Sequence, residues 1–332
     1  MTEFRATITA TESYFPSKII TNKDLEKTVD TSDEWIRTRT GITQRHQAKK
    51  GQAASHLAIE AIEKLLKKTK TAPEEIDLII VGTISPDTFF PSTACRIIDA
   101  IGAKNAWGFD LSAACSGYIY ALATADQFVR SGRYKKVIAV GVDVMSSILD
   151  PKDRNTCIIF GDGCGVTLIE PILKDTELGI IDHLCHVDGA GIDLLYMPAG
   201  GSLHPTTQET LDTGMHYLKQ DGKTVFKHAV TEMARISEEI LERNNISPSD
   251  IDVFIPHQAN IRIIESAQKK LKLKDEQVII NIDQRANTTA GTIPTCLDMA
   301  QRDGRLEKGK MVLLTTFGAG FTAGAVLMRW SY

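Results

Sequence analysis

The stretch APEEIDLIIVGT at Ala72–Thr83 has a counterpart in SPSDIDVFIPHQ at Ser247–Gln258, and this pair decides the reading of the fold. Each opens on a proline with acidic neighbours and continues through Ile-Asp into a short apolar run. That apolar run predicts a buried strand. Aligning Ile76 with Ile251 gives an offset of 175 residues. A second pair, YKKVIAVGVD from Tyr134 and KGKMVLLTTF from Lys308, aligns Lys136 with Lys310 at an offset of 174. Two separate pairs at nearly one offset predict a duplicated chain joined near Pro171–Glu177, with a site between the copies.

Working outward, strands are expected at 76–82, 136–142, 252–256 and 311–316, with helices between them. Ala53/Ala54, Leu57/Ala58, Ala61/Ile62 and Leu65/Leu66 recur every four residues, with lysines on the opposite face. Lys223–Arg243 repeats the pattern through Phe226, Ala229, Met233, Ile236 and Ile240. Alternation of this kind is α/β, with helix-covered sheets.

The chain has 332 residues, 42% hydrophobic and 24% charged, which excludes disordered and fibrous classes. With 38 Lys+Arg against 42 Asp+Glu the net charge is -4, so no nucleic-acid partner is expected. The six cysteines form no C-x-x-C pair, as in a reduced cytoplasmic chain without disulfides. No apolar run approaches the roughly 18 residues that span a bilayer, and MTEFRATITA lacks the core of a secretory signal. No membrane partner is expected.

The segment Phe109–Tyr118 reads FDLSAACSGY: an apolar strand, a run of small residues, then a helix. Cys115 thus falls at a strand-to-helix turn, where free amides and the helix dipole favour a thiolate. The alternative is a buried structural cysteine, the usual fate of that residue; the other five are expected in the core. In IPHQAN, Ile255–Asn260, His257 follows a strand end; in DQRANTTAGTI, Asp283–Ile293, Asn287 precedes a hydroxyl-rich helix start. Either could be an ordinary packed or capping residue. A Cys, a His and an Asn all at such junctions, however, is what covalent acyl chemistry requires. TFGAGFT, Thr316–Thr322, is small enough for backbone amides to face a ligand, or is a simple turn. FGDGCG at Phe160 lacks the glycine spacing of a nucleotide loop, and HLCH at His183 has no second ligand cluster, so no metal is assigned.

With these segments, DTSDEWIRTRTGI, FPSTAC, SAACSGY, DPKDRNT, IIFGDG, VFKHAV, IPHQAN, NTTAG and FGAGF occur in one order, and the chain resembles β-ketoacyl-acyl carrier protein synthase III of the thiolase superfamily. The resemblance runs to about Trp330 and implies a thiolase-like five-layered αβαβα fold of two duplicated halves, 1–173 carrying the Cys and 174–332 carrying the His and Asn. It implies a cytoplasmic homodimeric acyltransferase without a cofactor. An acyl-CoA primer, expected to be acetyl-CoA, would acylate Cys115; decarboxylating malonyl-acyl carrier protein would then attack the acyl group and initiate fatty-acid synthesis. The alternative is a related synthase of specialised metabolism with another acyl-CoA primer. The resemblance makes Cys115 the nucleophile, His257 and Asn287 the pair handling the malonyl thioester, and the Cys115 and Ala319 amides the oxyanion hole. It places Trp35 and Arg154 around the CoA adenine and Thr31, Arg39 and Asn260 along the CoA path. Phe90 would close the partner's acyl pocket, and Lys227, Arg262, Lys269 and Lys270 would dock the carrier protein. Ala286 and Ala319 stand where the family commonly has glycine, and Thr289 where serine is frequent, so each adds a methyl near the site.

Overall fold

The computed structural model describes residues 3–332, so the first two residues of the expected half 1–173 lie outside the described residues. The first sheet has five strands: β1 (Phe4–Tyr14), β2 (Leu78–Gly82), β3 (Trp107–Leu111), β4 (Val137–Asp143) and β5 (Gly163–Leu173), in the order β1-β5-β4-β2-β3. The second comprises β6 (Gly179–Val187), β7 (Val253–Pro256), β8 (Met311–Gly318) and β9 (Thr322–Arg329), in the order β7-β8-β9-β6. Continuous apolar runs form the central strands because helices cover both faces: every residue of β2 and of β4 is buried.

The duplication is visible in the strand register. Leu78 pairs with Val137 in parallel, and 175 residues on Val253 pairs with Val312. The 174-residue offset expected for the second segment is therefore corrected to 175. A one-residue slip would turn every side chain to the other face; Val137 and Ala139 share the central core with Val312 and Leu314, not with Met311 and Leu313. Even the missing fifth strand has a remnant: Val278 bridges Phe254 in parallel, as Gly108 pairs with Ile79.

Helices α1 (Asp33–Thr40), α2 (Ala54–Thr69), α3 (Thr93–Ile101), α4 (Gly117–Arg130), α5 (Gly222–Arg243), α6 (Ile261–Leu271) and α7 (Thr292–Arg302) complete the frame. α2 and α3 pack on the outer face of the first sheet, and α5 and α6 on that of the second. Between the sheets lie α4 and α7: Tyr118, Leu122 and Val129 meet Ile293, Leu297 and Ala300 in a core fed by both sheets. The layers are thus αβαβα. Such a two-sheet sandwich around paired helices draws the N-terminal ends of α4 and α7 together, and both candidate segments end there.

Glycines make the close approach possible. A Cβ on Gly82 would lie 2.6 Å from the Gly117 carbonyl oxygen, so only glycine lets β2 touch the start of α4. Among the described residues, no helix is long and apolar enough to cross a membrane. All six cysteines are free, but the expectation that five are core holds only for Cys164 and Cys296. Cys95 and Cys185 are exposed and Cys157 is half-buried. Cys95 sits on the outward face of α3, and Cys185 stands toward the open end of β6.

Candidate active site

Cys115 lies in a short 3-10 turn, Ala114–Ser116, between β3 and α4. Ala114 holds φ 47°, a left-handed conformation that turns the chain abruptly out of the sheet. The second half clamps this turn. Thr316 Oγ1 donates to the Cys115 carbonyl at 3.1 Å, and Thr322 Oγ1 donates toward the Ala113 carbonyl at 3.1 Å. A Cβ on Gly318 would sit 2.8 Å from the Cys115 amide nitrogen. Glycine at the end of β8 thus lets the loop carrying Ala319 pass beside the Cys115 backbone.

His257 immediately follows β7, and its N–H donates to the Thr315 carbonyl at 2.8 Å, extending the β7–β8 ladder by one bond. Its Nδ1 lies 2.7 Å from Thr292 Oγ1, at the first residue of α7. Asn287 is stitched to the first half: it donates its N–H to Ile159 O and accepts from Gly161 N–H, both at 3.0 Å. Its Oδ1 accepts the Thr289 N–H at 2.8 Å, leaving the Nδ2 amide as the free donor. The loop is bent by Ala286 at φ 56° and Thr289 at φ 51°. This region favours glycine, so the extra methyl of Ala286 carries a backbone penalty of about 1–3 kcal/mol. Thr289 is held by its hydroxyl to the Asp143 carboxylate at the end of β4, an anchor that the sequence did not single out. Asp143 also accepts from the Thr83 hydroxyl, the Ile84 N–H and the Ser85 N–H and hydroxyl.

Cys115, His257 and Asn287 line one cavity of about 120 Å³, together with Phe160, Val225, Phe226, Asn260, Phe317 and Gly318. Cys115 also borders a second, mostly apolar cavity of about 370 Å³, walled by Met145, Ile148, Leu195, Met197, Thr289 and Ala319. The thiol therefore stands between a narrow polar-tipped passage and an apolar chamber.

Electrostatics depart from the sequence expectation. Burial pushes the Cys115 thiol up to about 12, and the nearby Asp143 carboxylate adds to the rise. At rest the sulfur is a thiol, because desolvation outweighs the helix N-terminus. Burial drives His257 down to about 3, so its imidazole is neutral. Asp143, itself wholly buried, is raised by burial against the pull of its hydrogen bonds.

The residues expected along the CoA path lie in segments joined by side-chain bonds, and of them Asn260 lines the narrower cavity. The Asn260 side chain caps α6 and donates to the Arg39 carbonyl at 3.0 Å, tying α1 to the cavity rim. Thr31 lies just before α1 with its hydroxyl buried and unpaired. The Arg154 guanidinium stacks over Trp35 at 5.1 Å and donates to the Asp30 carbonyl at 2.6 Å. A flat ring between two planes needs roughly 7 Å, twice a carbon–carbon contact, so the pair as it stands is closed to one. Phe90 is 85% exposed and lines neither cavity of its own chain. The four basic residues divide. Lys227 and Arg262 adjoin cavity-lining Phe226 and Ile263, whereas Lys269 and Lys270 line a separate surface groove, Lys270 lying 3.6 Å from Glu238. Among the described residues, no cluster of three or more His, Cys, Asp or Glu could hold a metal.

Thr292, Thr289, Asp143 and Gly318 escaped the residue-level reading of roles. Their signal was weak: a hydroxyl run before a helix, an Asp ending a strand, and a glycine in a small-residue loop.

This arrangement has close relatives. Residues 109–189 match the family described as 3-oxoacyl-[acyl-carrier-protein (ACP)] synthase III, and residues 241–330 match its C-terminal region. The chain is 51% identical to the beta-ketoacyl-[acyl-carrier-protein] synthase III of Koribacter versatilis, over 99% of this chain and 98% of the relative. It is 50% identical to that of Chlorobaculum tepidum, over 98% and 99%. The crystal structure of 3-oxoacyl-[acyl-carrier-protein] synthase III from Aquifex aeolicus superimposes with a TM-score of 0.89 at 39% identity, covering 98% of this chain and all of that one. By sequence along its whole length and by fold, the chain belongs to the 3-oxoacyl-[acyl-carrier-protein] synthase III family.

Proposed function

We propose that this chain joins an acyl-CoA primer to malonyl-acyl carrier protein through an acyl-Cys115 intermediate, with loss of carbon dioxide, giving β-ketoacyl-acyl carrier protein and initiating fatty-acid synthesis. The observation that carries the reading is the position of Cys115 on the walls of two cavities, the narrower of which His257 and Asn287 also line. The primer's acyl chain takes the apolar chamber, and the thioester-bearing arm takes the passage. Attack by sulfur puts charge on the carbonyl oxygen, which the Cys115 and Ala319 amides stabilise. Exchange of one thioester for another is nearly balanced, so positioning does most of the work. Loss of carbon dioxide from the malonyl group leaves an enolate, whose oxygen needs fixed donors; Asn287 Nδ2 is oriented for this by the Thr289 N–H. His257 completes the malonyl side. Carbon dioxide release drives the sequence forward, and the residues call for no cofactor.

Trp35 and Arg154 hold the adenine, and Thr31, Arg39 and Asn260 guide the pantetheine arm. Residues 1–173 and 174–332 form the two halves, a division supported by the sheets that meet between Leu173 and Gly179. A homodimer forms on the face of edge strand β3, supported by 44% exposed Trp107 and the adjoining groove of Phe109, Leu111, Phe128 and Tyr134. There Phe90 reaches the partner's acyl chamber. Six free cysteines agree with a cytoplasmic chain.

The decisive experiment gives the wild-type protein a panel of acyl-CoA primers, then malonyl-acyl carrier protein, and reads product masses. A β-ketoacyl-carrier product with primer plus two carbons is expected, with acetyl-CoA among the best primers; free acid alone would mark a hydrolase. A preference for a long or aromatic primer would favour the specialised synthase.

Docking of the acidic carrier follows the division of the basic residues. Replacing Lys227 and Arg262 together by Glu should raise the carrier-protein KM about tenfold and leave acyl-CoA acylation unchanged. The Lys269→Glu, Lys270→Glu pair should raise it less, because Lys270 already faces Glu238. Steady-state kinetics against carrier concentration read both; no change in either pair would make the basic face merely solvated.

A further inference from the structure

We propose that Thr289 is a positioning residue for condensation: its side-chain link to buried Asp143 holds the Asn287 amide in place for the malonyl half-reaction. The inference rests on the condensing-enzyme reading above and concerns the second half-reaction of that site.

One contact sets the polarity of the Asn287 amide. The Thr289 N–H lies 2.8 Å from Asn287 Oδ1. An N–H can only donate, so the oxygen faces it and Nδ2 turns the other way. Asn287 is buried and lines the narrower cavity with Cys115 and His257. Its free donor is therefore placed no better than the Thr289 amide that fixes the opposite side of the group.

Backbone preference does not hold that amide. Thr289 has φ 51°, in the left-handed region that a β-branched residue avoids. The side chain supplies the hold. Thr289 Oγ1 is hydrogen-bonded to Asp143 Oδ2 and also lies 2.8 Å from the Thr288 carbonyl. Either Thr289 or Asp143 can supply the proton between them, so the link does not depend on the charge of the carboxyl group. Asp143 is itself immobilised at the end of β4. Its Oδ1 accepts from the Thr83 hydroxyl at 3.0 Å, the Ile84 N–H at 2.8 Å and the Ser85 hydroxyl at 2.8 Å. The backbones also meet here. A Cβ on Gly141 would lie 2.2 Å from the Ala290 carbonyl oxygen, so glycine lets the loop lie directly on β4.

The link spans 146 positions and joins the two cavities. Ile84 and Thr289 wall the apolar chamber, whereas Asn287 lines the narrower passage. A wall of the proposed primer chamber and the donor proposed for the enolate thus hang from one carboxyl group. The Cys115 turn is clamped separately, by Thr316 and Thr322. Loss of the Thr289 anchor should therefore weigh on condensation far more than on acylation.

The test uses Thr289→Val, which keeps the shape, the branching and the chamber wall but removes the hydroxyl, and Thr289→Ser, which restores it. Both half-reactions are followed in single turnover, acylation with acetyl-CoA and condensation by mixing pre-acylated protein with malonyl-acyl carrier protein. In Thr289→Val condensation should fall about 10–100-fold more than acylation, and in Thr289→Ser the ratio of the two should return to within about threefold of wild type. The spectroscopic readout is the side-chain 15N–1H pair of Asn287, assigned by its absence from Asn287→Ala. It should be sharp in wild type and Thr289→Ser and broadened in Thr289→Val. Unchanged condensation by Thr289→Val would overturn the proposal, since the hydroxyl is then not needed. An equal fall in both half-reactions would overturn it too, since the loss is then one of general packing. If Thr289→Val does not fold, Thr289→Ala, which is smaller and unbranched, is read in the same way. Failure of the wild type to acylate, or to condense once acylated, would instead count against the condensing-enzyme reading.

Discussion

Mixed with acetyl-CoA, the wild-type protein should gain the mass of one acetyl group per chain, and Cys115→Ser should gain none on the same timescale. The expected loss in acyl-transfer rate is on the order of 10⁴-fold or more, as for other variants that lose the covalent nucleophile. Serine keeps the volume and the turn, so folding should survive; Cys115 makes its backbone bonds through a carbonyl that serine also has. The alcohol is a far weaker acid, and the site that already holds a thiol protonated would hold an alcohol more firmly still. Intact-protein mass spectrometry reads the result directly. An equal adduct on the serine variant would place the acyl group on another residue, and exposed Cys95 and Cys185 are the thiols to examine then.

The second large effect is expected at Asn287. Asn287→Ala should still be acylated at close to the wild-type rate, but condensation with malonyl-acyl carrier protein should drop about 10²–10³-fold, the usual loss when one oxyanion donor is removed. The two half-reactions separate in the proposed mechanism, which gives the enolate to Asn287 Nδ2, left free when Oδ1 accepts the Thr289 N–H, and the first oxyanion to backbone amides. Asn287→Asp should be no better than alanine, since a carboxylate offers no donor and repels the enolate. Carbon dioxide release and product mass, measured on pre-acylated protein, give the answer. Normal decarboxylation by Asn287→Ala would remove the residue from the mechanism.

Much of the architecture was legible because burial leaves a periodic mark. The repeated segments at Ala72 and Ser247 supply matching strands, each preceded by a 3-10 turn that their letters did not announce, and α2 and α5 follow their apolar stripes. Cys115 and His257 could be picked out because each follows a recognisable strand end, and Asn287 because it precedes a hydroxyl-rich helix start; in the structure Asn287 follows the short helix Ile282–Arg285 and not a strand. The offset of the second repeat was off by one residue, since similarity of letters does not report which face a strand buries. The thiolate expectation also missed: a helix N-terminus is written in the sequence, but the depth at which it lies is not.

What the sequence determined by itself, then, is the alternation of strands and helices, the duplication, and the chemistry carried at the junctions, all of which follow from local periodicity and residue type. Tertiary structure alone decided that Gly82 and His257, equivalent positions 175 residues apart, have opposite tasks: one lets β2 meet α4, the other lines the cavity. It decided that the Asn287 loop is pinned by Ile159 and Gly161 of the other half, and that Thr292 Oγ1 reaches His257 Nδ1. The physical reason is common to all three. Hydrogen bonds and close backbone contacts between residues more than 30 positions apart exist only after the two sheets pack on α4 and α7, and no local pattern encodes the distance that packing produces.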